Sequence, residues 1–350
     1  MKRIVFLLLL TLTLESCDEK ELSSIAEILS FNITEINTDK VDFNNVVIEK
    51  EHQKVFLMTS DPFNSESFPI QIIPDIDISN GASIIPGSGE KITFESDTIN
   101  FLYLLSAEDG TEYEWYLSLI SNQLPNSDFE AWYEAEGLDG KYYPEPGISE
   151  STTLWATANK ATSIYDVLGT TPLEDRDNTL VKITTGETNS VPVTAGTLFT
   201  GKFDVRKAIN NPTDPQKGTD FGIPFSNRPA ALKIKYRYEP GENYIKATLK
   251  DPNSIFGGFD VTPLDGGDRC KIFSYLEVRD GENSTIIGEL EFISGDTVTD
   301  LTELSLIYTY TSSDTPTHIT VVFTSSTDGD LFTGAVGSTL IVDDLELIYE

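Results

Sequence analysis

Short apolar runs separated by turn residues fill the chain from residue 28 to residue 120. They recur at the spacing that is typical of strands in an immunoglobulin-like sandwich. The runs fall at residues 28–33, 46–48, 55–58, 70–78, 92–94, 101–105 and 113–120. The pattern therefore predicts an immunoglobulin-like (Ig-like) β-sandwich over residues 26–121.

A second all-β domain is predicted for residues 122–350. The segment Leu-Lys-Ile-Lys-Tyr-Arg-Tyr at 232–238 alternates strictly, so a strand there has one apolar, aromatic face and one basic face. Similar alternation recurs at residues 272–278, 304–310, 319–323 and 340–349. No sustained 3.6-residue apolar period occurs, and the single candidate helix is a short segment near residues 163–168.

The first residues have the pattern of a secretory signal peptide, residues 1–16. Lys2 and Arg3 precede an apolar run at 4–14 that is too short to span a bilayer. The Leu-Glu-Ser-Cys that ends at Cys17 resembles a bacterial lipobox, which implies a lipid on that cysteine and a lipidated tether over residues 17–25. An ordinary secreted protein with an incidental cysteine is the alternative.

The predicted location follows from the lipid and from the acidic residues behind it. Residues 18–21, Asp-Glu-Lys-Glu, are similar to the surface-export signals of Bacteroidetes lipoproteins. We therefore expect a protein on the outer face of the outer membrane, in contact with the membrane through its lipid anchor only.

Charge and the counts of two residue types exclude several functions. The chain has 57 Asp and Glu against 24 Lys and Arg, a net charge of −33, so approach to the phosphates of a nucleic acid is unfavourable. The chain has two Cys and two His, and lipidation would take one of the thiols, so too few remain for a Cys/His zinc cluster or a disulfide framework. We expect Cys270 to be a small buried side chain. We expect His318 to be an ordinary strand residue, and the other histidine, His52, lies in the other predicted domain.

Several separated motifs of the larger domain resemble, in order, the putative carbohydrate metabolism domain of Bacteroidetes lipoproteins, a jelly-roll family. The matching segments are 126–130 with Trp132, 143–144, 155–159, 196–201, 222–225, 228–229 and 323–349. In the first domain, residues 79–89 and 107–111 resemble bacterial Ig-like modules. The resemblance implies an Ig-like spacer followed by a jelly-roll β-sandwich that is concerned with carbohydrate.

The ends of the larger domain are also similar to those of carbohydrate-binding jelly rolls, where an Asn-x-x-Phe-Glu opening meets an Asp-Asp-x-x-Leu strand at a structural calcium ion. This similarity implies a Ca²⁺ site, because that cation takes hard oxygen ligands. The implied ligands are Asn126, Asp128, Glu130 and Asp343. In so acidic a chain, a solvated acidic turn remains the alternative.

The candidate glycan-binding residues are of two kinds. Aromatic side chains can cover the apolar face of a pyranose, and neighbouring polar side chains can bind its hydroxyls. The predicted set is Trp132, Tyr143, Trp155, Asn159, Phe225 and Arg228. The basic face of residues 232–238 would add positive charge for an anionic glycan. The alternative is that the aromatic rings belong to the core and that Arg228 is a structural ion-pair partner.

Three functions remain open at this point. The first is a glycan-binding surface lipoprotein that takes a polysaccharide or oligosaccharide, with other surface glycan-uptake proteins as further partners. The second is a glycoside hydrolase-like enzyme, which needs an acid and a second carboxylate about 5–10 Å apart. Its candidate acids are Glu134, Glu136, Asp139, Glu145 and Asp220, and no spacing singles out a pair. The third is an adhesive or structural surface protein.

Overall fold

The computed structural model describes residues 22–64, 66–211, 214–281 and 283–349. The predicted signal peptide and Cys17 lie outside these residues. The described fold is almost entirely β, as predicted, and its helices are short. They are α1 (Asn159–Thr162), α2 (Val205–Asn210) and 3-10 turns at Lys50–His52, Ser163–Tyr165, Pro215–Gly218, Ile255–Gly257 and Gly329–Leu331. No helix within these ranges is long and apolar enough to cross a membrane.

The N-terminal half is a sandwich of two sheets. Its strands are β1 (Ile28–Ile36), β2 (Phe43–Glu49), β3 (Lys54–Thr59), β4 (Ile70–Ile78), β5 (Ser83–Ile85), β6 (Ile92–Phe94), β7 (Phe101–Ser106) and β8 (Glu112–Ile120). One sheet has the order β1-β4-β6 and the other β2-β3-β8-β7-β5, in which β3 and β8 are parallel. Trp115 and Tyr103 are buried among the apolar residues of this half. The predicted sandwich is confirmed, and its Ig-like class stays a prediction.

The C-terminal half contains the remaining strands. They are β9 (Trp132–Glu136), β10 (Tyr142–Pro146), β11 (Trp155–Thr157), β12 (Thr170–Asp175), β13 (Asn178–Thr184), β14 (Thr197–Phe203), β15 (Thr219–Phe221), β16 (Ile223–Pro224), β17 (Ala231–Glu239), β18 (Tyr244–Leu249), β19 (Phe259–Pro263), β20 (Cys270–Asp280), β21 (Asn283–Ser294), β22 (Val298–Ile307), β23 (Thr309–Tyr310), β24 (His318–Thr324), β25 (Thr333–Ala335) and β26 (Thr339–Ile348).

Two large sheets build the core of this half. One has the order β12-β13-β26-β17-β22, and the other has the path β11-β14-β24-β20-β21-β23, with β15 beside β14 and β16 beside β24. The predicted alternation is confirmed in β17, where Leu232, Ile234 and Tyr238 are fully buried. Cys270 is buried as well, as predicted. The arrangement agrees with the predicted jelly-roll sandwich.

The two ends of the larger domain meet, as the sequence predicted. The backbone N–H of Leu345 donates to the Ser127 carbonyl at 2.9 Å. The side chain of Gln123 makes two hydrogen bonds to the backbone of Leu347, both 2.8 Å long. The segment that opens the domain is therefore held against its last strand.

Packing crosses the predicted boundary at residue 122. Phe56 and Met58 of β3 are each 1% exposed and belong to the apolar core of the C-terminal half, together with Phe129 and Trp155. A hydrogen bond of 3.1 Å from Asn227 Nδ2 to the Thr59 carbonyl also joins the halves. Since the larger sandwich takes part of its core from the smaller one, experiments on this protein are best made on the full chain.

Candidate functional site

Trp155, the predicted sugar platform, is a core residue. Its side chain is 2% exposed, and its ring packs against Phe129 at 5.3 Å and Phe323 at 6.4 Å between ring centroids. The indole Nε1 donates to the Pro125 carbonyl at 2.9 Å. Because both the ring and its polar edge have protein partners, the prediction of an exposed platform is wrong.

Three further residues of the predicted set are buried and have structural contacts. Phe225 is fully buried, and Tyr143 is 4% exposed. Asn159 is 1% exposed, and its amide bonds the backbone of Thr170, accepting from N at 3.1 Å and donating to O at 2.7 Å. These positions contradict a direct role in sugar recognition, because water and ligand do not reach them.

Arg228 and Trp132 lie nearer the surface but are engaged with the protein. The guanidinium of Arg228 lies 4.0 Å from the centroid of the Tyr310 ring and donates to the carbonyls of Ser312 and Asp314. Trp132 is half-buried, and its indole donates to the Phe129 carbonyl at 2.8 Å. The structure therefore favours the structural alternative for both, with backbone carbonyls in place of the expected ion pair.

Two of the three basic residues on the polar face of β17 are neutralised. Lys233 Nζ lies 2.5 Å from a carboxylate oxygen of Glu346, and Lys235 Nζ lies 2.5 Å from one of Asp344. The register of β17 and β26 explains these pairs, because Lys233 stands opposite Glu346 on the neighbouring strand. Arg237, the third basic residue of this face, is exposed and makes no ion pair with any described residue, so the expected positive patch is reduced to one side chain.

A large cleft lies between the two halves, and we call it the junction cleft. Its volume is about 600 Å³, which is within the usual range for ligand sites. The N-terminal half contributes Phe63, Asp97, Asn100 and Ser118, and the C-terminal half contributes residues 123–128, 130–131, 147–148 and 152–155. Amide, carboxylate and hydroxyl groups from both sandwiches therefore line one space.

Two polar groups in the wall of the junction cleft have no protein partner. Asn100 Nδ2 and Ser118 Oγ are buried and make no hydrogen bond to any described residue. Burial, and to a lesser degree the negative charge of Asp128, raises the pKa of Asp97. Unpaired polar groups are costly in a protein interior, so a ligand or water that reached these atoms would stabilise them. Neither atom is exposed in this structure, so such contact requires the cleft to open further around them.

The sequence analysis missed this cleft because its walls come from distant parts of the chain. Three of the predicted calcium ligands, Asn126, Asp128 and Glu130, lie in its wall, as does Trp155. The side chains opposite them come from the N-terminal half, which the sequence analysis treated as a spacer. No local motif marks Asn100 or Ser118, so only the packing of the two halves identifies them.

The predicted calcium ligands are close to one another but have several protein partners. Glu130 Oε1 accepts from Thr179 N at 3.1 Å, and Asp343 Oδ2 accepts from Asn178 Nδ2 at 2.9 Å, so consecutive residues of β13 connect the two acids. Asn126 is engaged with the backbone of Ala131 through both its amide oxygen and its amide nitrogen. This engagement argues against Asn126 as a free side-chain ligand.

One atom fits the expected cation. Asp343 is fully buried, and its Oδ1 makes no hydrogen bond within the described ranges. Burial raises the pKa of this carboxyl group, and it outweighs the hydrogen bond from Asn178 and the positive charge of Lys235. Glu130 and Asp343, with nearby carbonyls, would hold Ca²⁺. The bound cation would then make this part of the domain more rigid. The described side chains contain no group of three or more His, Cys, Asp or Glu that could hold a metal ion.

Among the five candidate acids for hydrolysis, Glu145 is the one with a strongly raised pKa. Its side chain is buried in the β9–β10 hairpin, and burial raises its pKa to about 7. It accepts a hydrogen bond of 2.6 Å from Thr157 Oγ1. Glu145 does not line the junction cleft, and its hydrogen bond joins the hairpin to β11.

Both histidines of the chain meet at one carboxylate between the halves. His52 Nδ1 lies 3.2 Å from Glu49 Oε2, and His318 Nε2 lies 3.8 Å from Glu49 Oε1. His52 Nε2 also lies 3.5 Å from Asp220 Oδ2. His318 is the first residue of β24, as the strand prediction required, but its contact with the other half was not predicted.

Comparisons with known proteins agree with this fold. The family model described as "Putative carbohydrate metabolism domain" matches residues 126–348, more than half of the chain. A structure described as a putative glycoside hydrolase from Bacteroides thetaiotaomicron is 23% identical with a TM-score of 0.54, and the match covers 95% of this chain and 99% of that chain. A second structure with the same description, from Bacteroides vulgatus, is 19% identical with a TM-score of 0.52. That match covers 64% of this chain and 97% of that chain. No curated protein matches the chain in sequence.

Proposed function

The chain belongs to the family of the putative carbohydrate metabolism domain, and on this premise we propose that it binds glycan in the junction cleft. The family supports a role connected with carbohydrate.

The proposal further makes the protein a lipoprotein of the outer membrane surface, anchored through Cys17. The lipobox-like sequence and the acidic residues behind it support that location. Mass spectrometry of the mature N-terminus tests the anchor, since an unmodified Cys17 would contradict it.

The observation that carries the binding site is the polar lining of the junction cleft. A pyranose presents many hydroxyls, which act both as donors and as acceptors. The cleft offers the carboxylates of Asp97 and Asp128, the amide of Asn100 and the hydroxyl of Ser118, and Phe63 supplies an aromatic ring. Asn100 Nδ2 and Ser118 Oγ are unpaired and unexposed in this wall, and they would gain partners from a sugar that opens the cleft around them.

The direct test is a titration of the full chain with a panel of polysaccharides and oligosaccharides. We expect at least one glycan to bind without being degraded. New reducing ends would instead favour the hydrolase alternative. One observation supports that alternative: Asp97 and Asp128 line the same cleft, and the pKa of Asp97 is raised, as a general acid requires. If the chain neither retained a glycan nor released a product, the adhesive alternative would remain.

We also propose that Glu130 and Asp343 share a structural Ca²⁺. A cation that binds only the folded chain stabilises it, so a chelator should lower the melting temperature by about 5 °C or more. Asp343→Asn should remove the response to added Ca²⁺. Asp344→Asn, next to it in sequence, is the matched control and should keep the response, because Asp344 is instead paired with Lys235.

This calcium proposal has a clear contrary result. A melting curve of the full chain that is the same in chelator and in excess Ca²⁺ would show that Glu130 and Asp343 hold no cation. Their hydrogen bonds to Thr179 and Asn178 would then be their whole function.

A further inference from the structure

A second, narrower cavity lies at the contact between the two halves, and we call it the junction pocket. Its volume of about 40 Å³ has room for a few water-sized groups and not for a sugar ring. The N-terminal half contributes Glu49, His52, Lys54 and Phe56 to its wall, and the C-terminal half contributes residues 153–154, 201–202, 220, 222–224 and 279. Lys202 and Asp220 are exposed, so the pocket opens to solvent beside them.

Lys54, the first residue of β3, is the unusual group in this pocket. It is 4% exposed, and its ammonium makes no hydrogen bond or ion pair with any residue that the structure describes. Burial, with a contribution from the positive charge of Lys202, lowers the pKa of Lys54 to about 8. An ammonium group on a largely buried side chain, with no bonded partner, is costly, and a negatively charged ligand in the pocket would offset that cost.

The carboxylates around the pocket are engaged by other groups. Glu49 is held by the two histidines, and Asp220 lies against His52. Attraction to these histidines outweighs burial and lowers the pKa of Glu49 to about 2, so it stays ionised and attracts Lys54 only from a distance. Arg279 is likewise paired with Glu277, to which its Nε donates at 2.8 Å. Lys54 and Lys202 therefore remain as cations without a bonded anion.

We propose that the junction pocket binds a carboxylate group and that the glycan class of this protein is one that contains uronic acid. A carboxylate is small enough for the pocket, carries the required charge and can accept from two ammonium groups. The pocket and the junction cleft share Thr153 and Leu154 in their walls, so the two cavities are neighbours. An acidic oligosaccharide that spans both would place its carboxylate in the pocket. The proposal of a glycan that contains uronic acid rests on the proposed function, glycan binding in the junction cleft. The proposal of a carboxylate site in the junction pocket does not.

Nuclear magnetic resonance of the full chain with ¹³C-labelled lysine tests the anion site by itself. The Lys54 signal is assigned by its loss in Lys54→Met, and its titration is followed with acetate, glucuronate or glucose. Acetate and glucuronate should each raise the pKa of Lys54 by about one unit or more, because an adjacent anion favours the charged form. Glucose should leave it unchanged. A Lys54 pKa that no carboxylate moves would overturn the proposal.

Affinity for the carboxylate should fall as the pH rises through about 8, where free Lys54 loses its proton. Below that pH Lys54 is charged and can hold the anion. The other charged or titratable groups that face the pocket are Glu49, His52, Lys202, Asp220, Arg279 and, through Glu49, His318. An affinity for glucuronate that stays constant from pH 7 to pH 10 would contradict the role of Lys54.

Lys54→Met separates a binding role from a structural one. The methionine keeps an unbranched apolar side chain and removes the buried charge, so the variant should be at least as stable as the wild type. Its affinity for an acidic oligosaccharide should fall about tenfold or more. Lys246→Met, at an exposed position on β18, is the control and should change neither quantity. Loss of stability in Lys54→Met without loss of affinity would overturn the assignment.

The two proposals can fail separately. Binding of neutral and acidic oligosaccharides with equal affinity, unaffected by Lys54→Met, would retain glycan binding and reject the uronic acid. A rise in the Lys54 pKa with acetate, but no binding of any glycan, would retain the anion site and reject the proposed function.

Discussion

Trp155→Ala is expected to lower the free energy of unfolding by about 3–5 kcal/mol, as truncation of a large aromatic side chain in a core commonly does. The ring is 2% exposed and packs against Phe129 and Phe323, so its loss leaves a cavity. The change also leaves the Pro125 carbonyl without its indole donor. Trp155→Phe keeps most of the ring packing and should cost less.

Urea unfolding of the full chain measures these differences, with Tyr142→Ala as the matched control. Tyr142 is an aromatic residue of the same half but is 66% exposed, so its truncation should change the free energy of unfolding by about 0.5 kcal/mol or less. An equally small effect for Trp155→Ala would return Trp155 to the surface and restore it as a candidate sugar platform.

Asp268→Ala is the second substitution for which we expect a large loss of stability. Asp268 is 2% exposed, and its Oδ2 accepts from Ser326 Oγ at 2.5 Å, Ser338 Oγ at 2.6 Å and Ala335 N at 2.7 Å. These donors lie after β24, in β25 and in the turn before β26, so one buried carboxylate joins three segments. Removing it leaves the donors unpaired, which should cost about 3 kcal/mol or more.

The matched control for this buried acid is Asp265→Ala. Asp265 is three residues away and exposed, and its side chain makes no hydrogen bond within the described structure. Its truncation should leave the urea midpoint nearly unchanged. If both variants unfolded at the wild-type midpoint, the buried network around Asp268 would not stabilise the fold.

Local patterns in the sequence were sufficient to predict the fold class. The alternation at residues 232–238 depends only on the two-residue period of a strand, and β17 shows the expected buried face. The meeting of the domain ends was predicted from a family resemblance, and the hydrogen bond between Leu345 and Ser127 confirms it. These features depend on the strand itself or on residues that the family shares.

The glycan-binding residues could not be predicted in this way, because burial depends on contacts between distant parts of the chain. Trp155 was predicted because other aromatic side chains and Asn159 lie close to it in the sequence, but Phe56 and Met58 of the other half belong to the same core. Lys54 did carry a local signal, since it directly precedes the apolar residues of β3. The sequence could not predict that both histidines lie near Lys54, because that arrangement depends on the packing of the two halves.

The most direct measurement of the central claim is the affinity of cleft variants for the glycan that the panel identifies. Asn100→Ala and Asp97→Ala remove polar groups from the wall of the junction cleft, and Asn100 Nδ2 makes no hydrogen bond that the fold would lose. Calorimetric titration of the full chain should show affinity reduced about tenfold in each variant, with unfolding free energies near that of the wild type. Tyr142→Ala, outside the cleft, should bind as the wild type does. Wild-type affinity in both cleft variants would contradict the proposal that the junction cleft is the glycan-binding site.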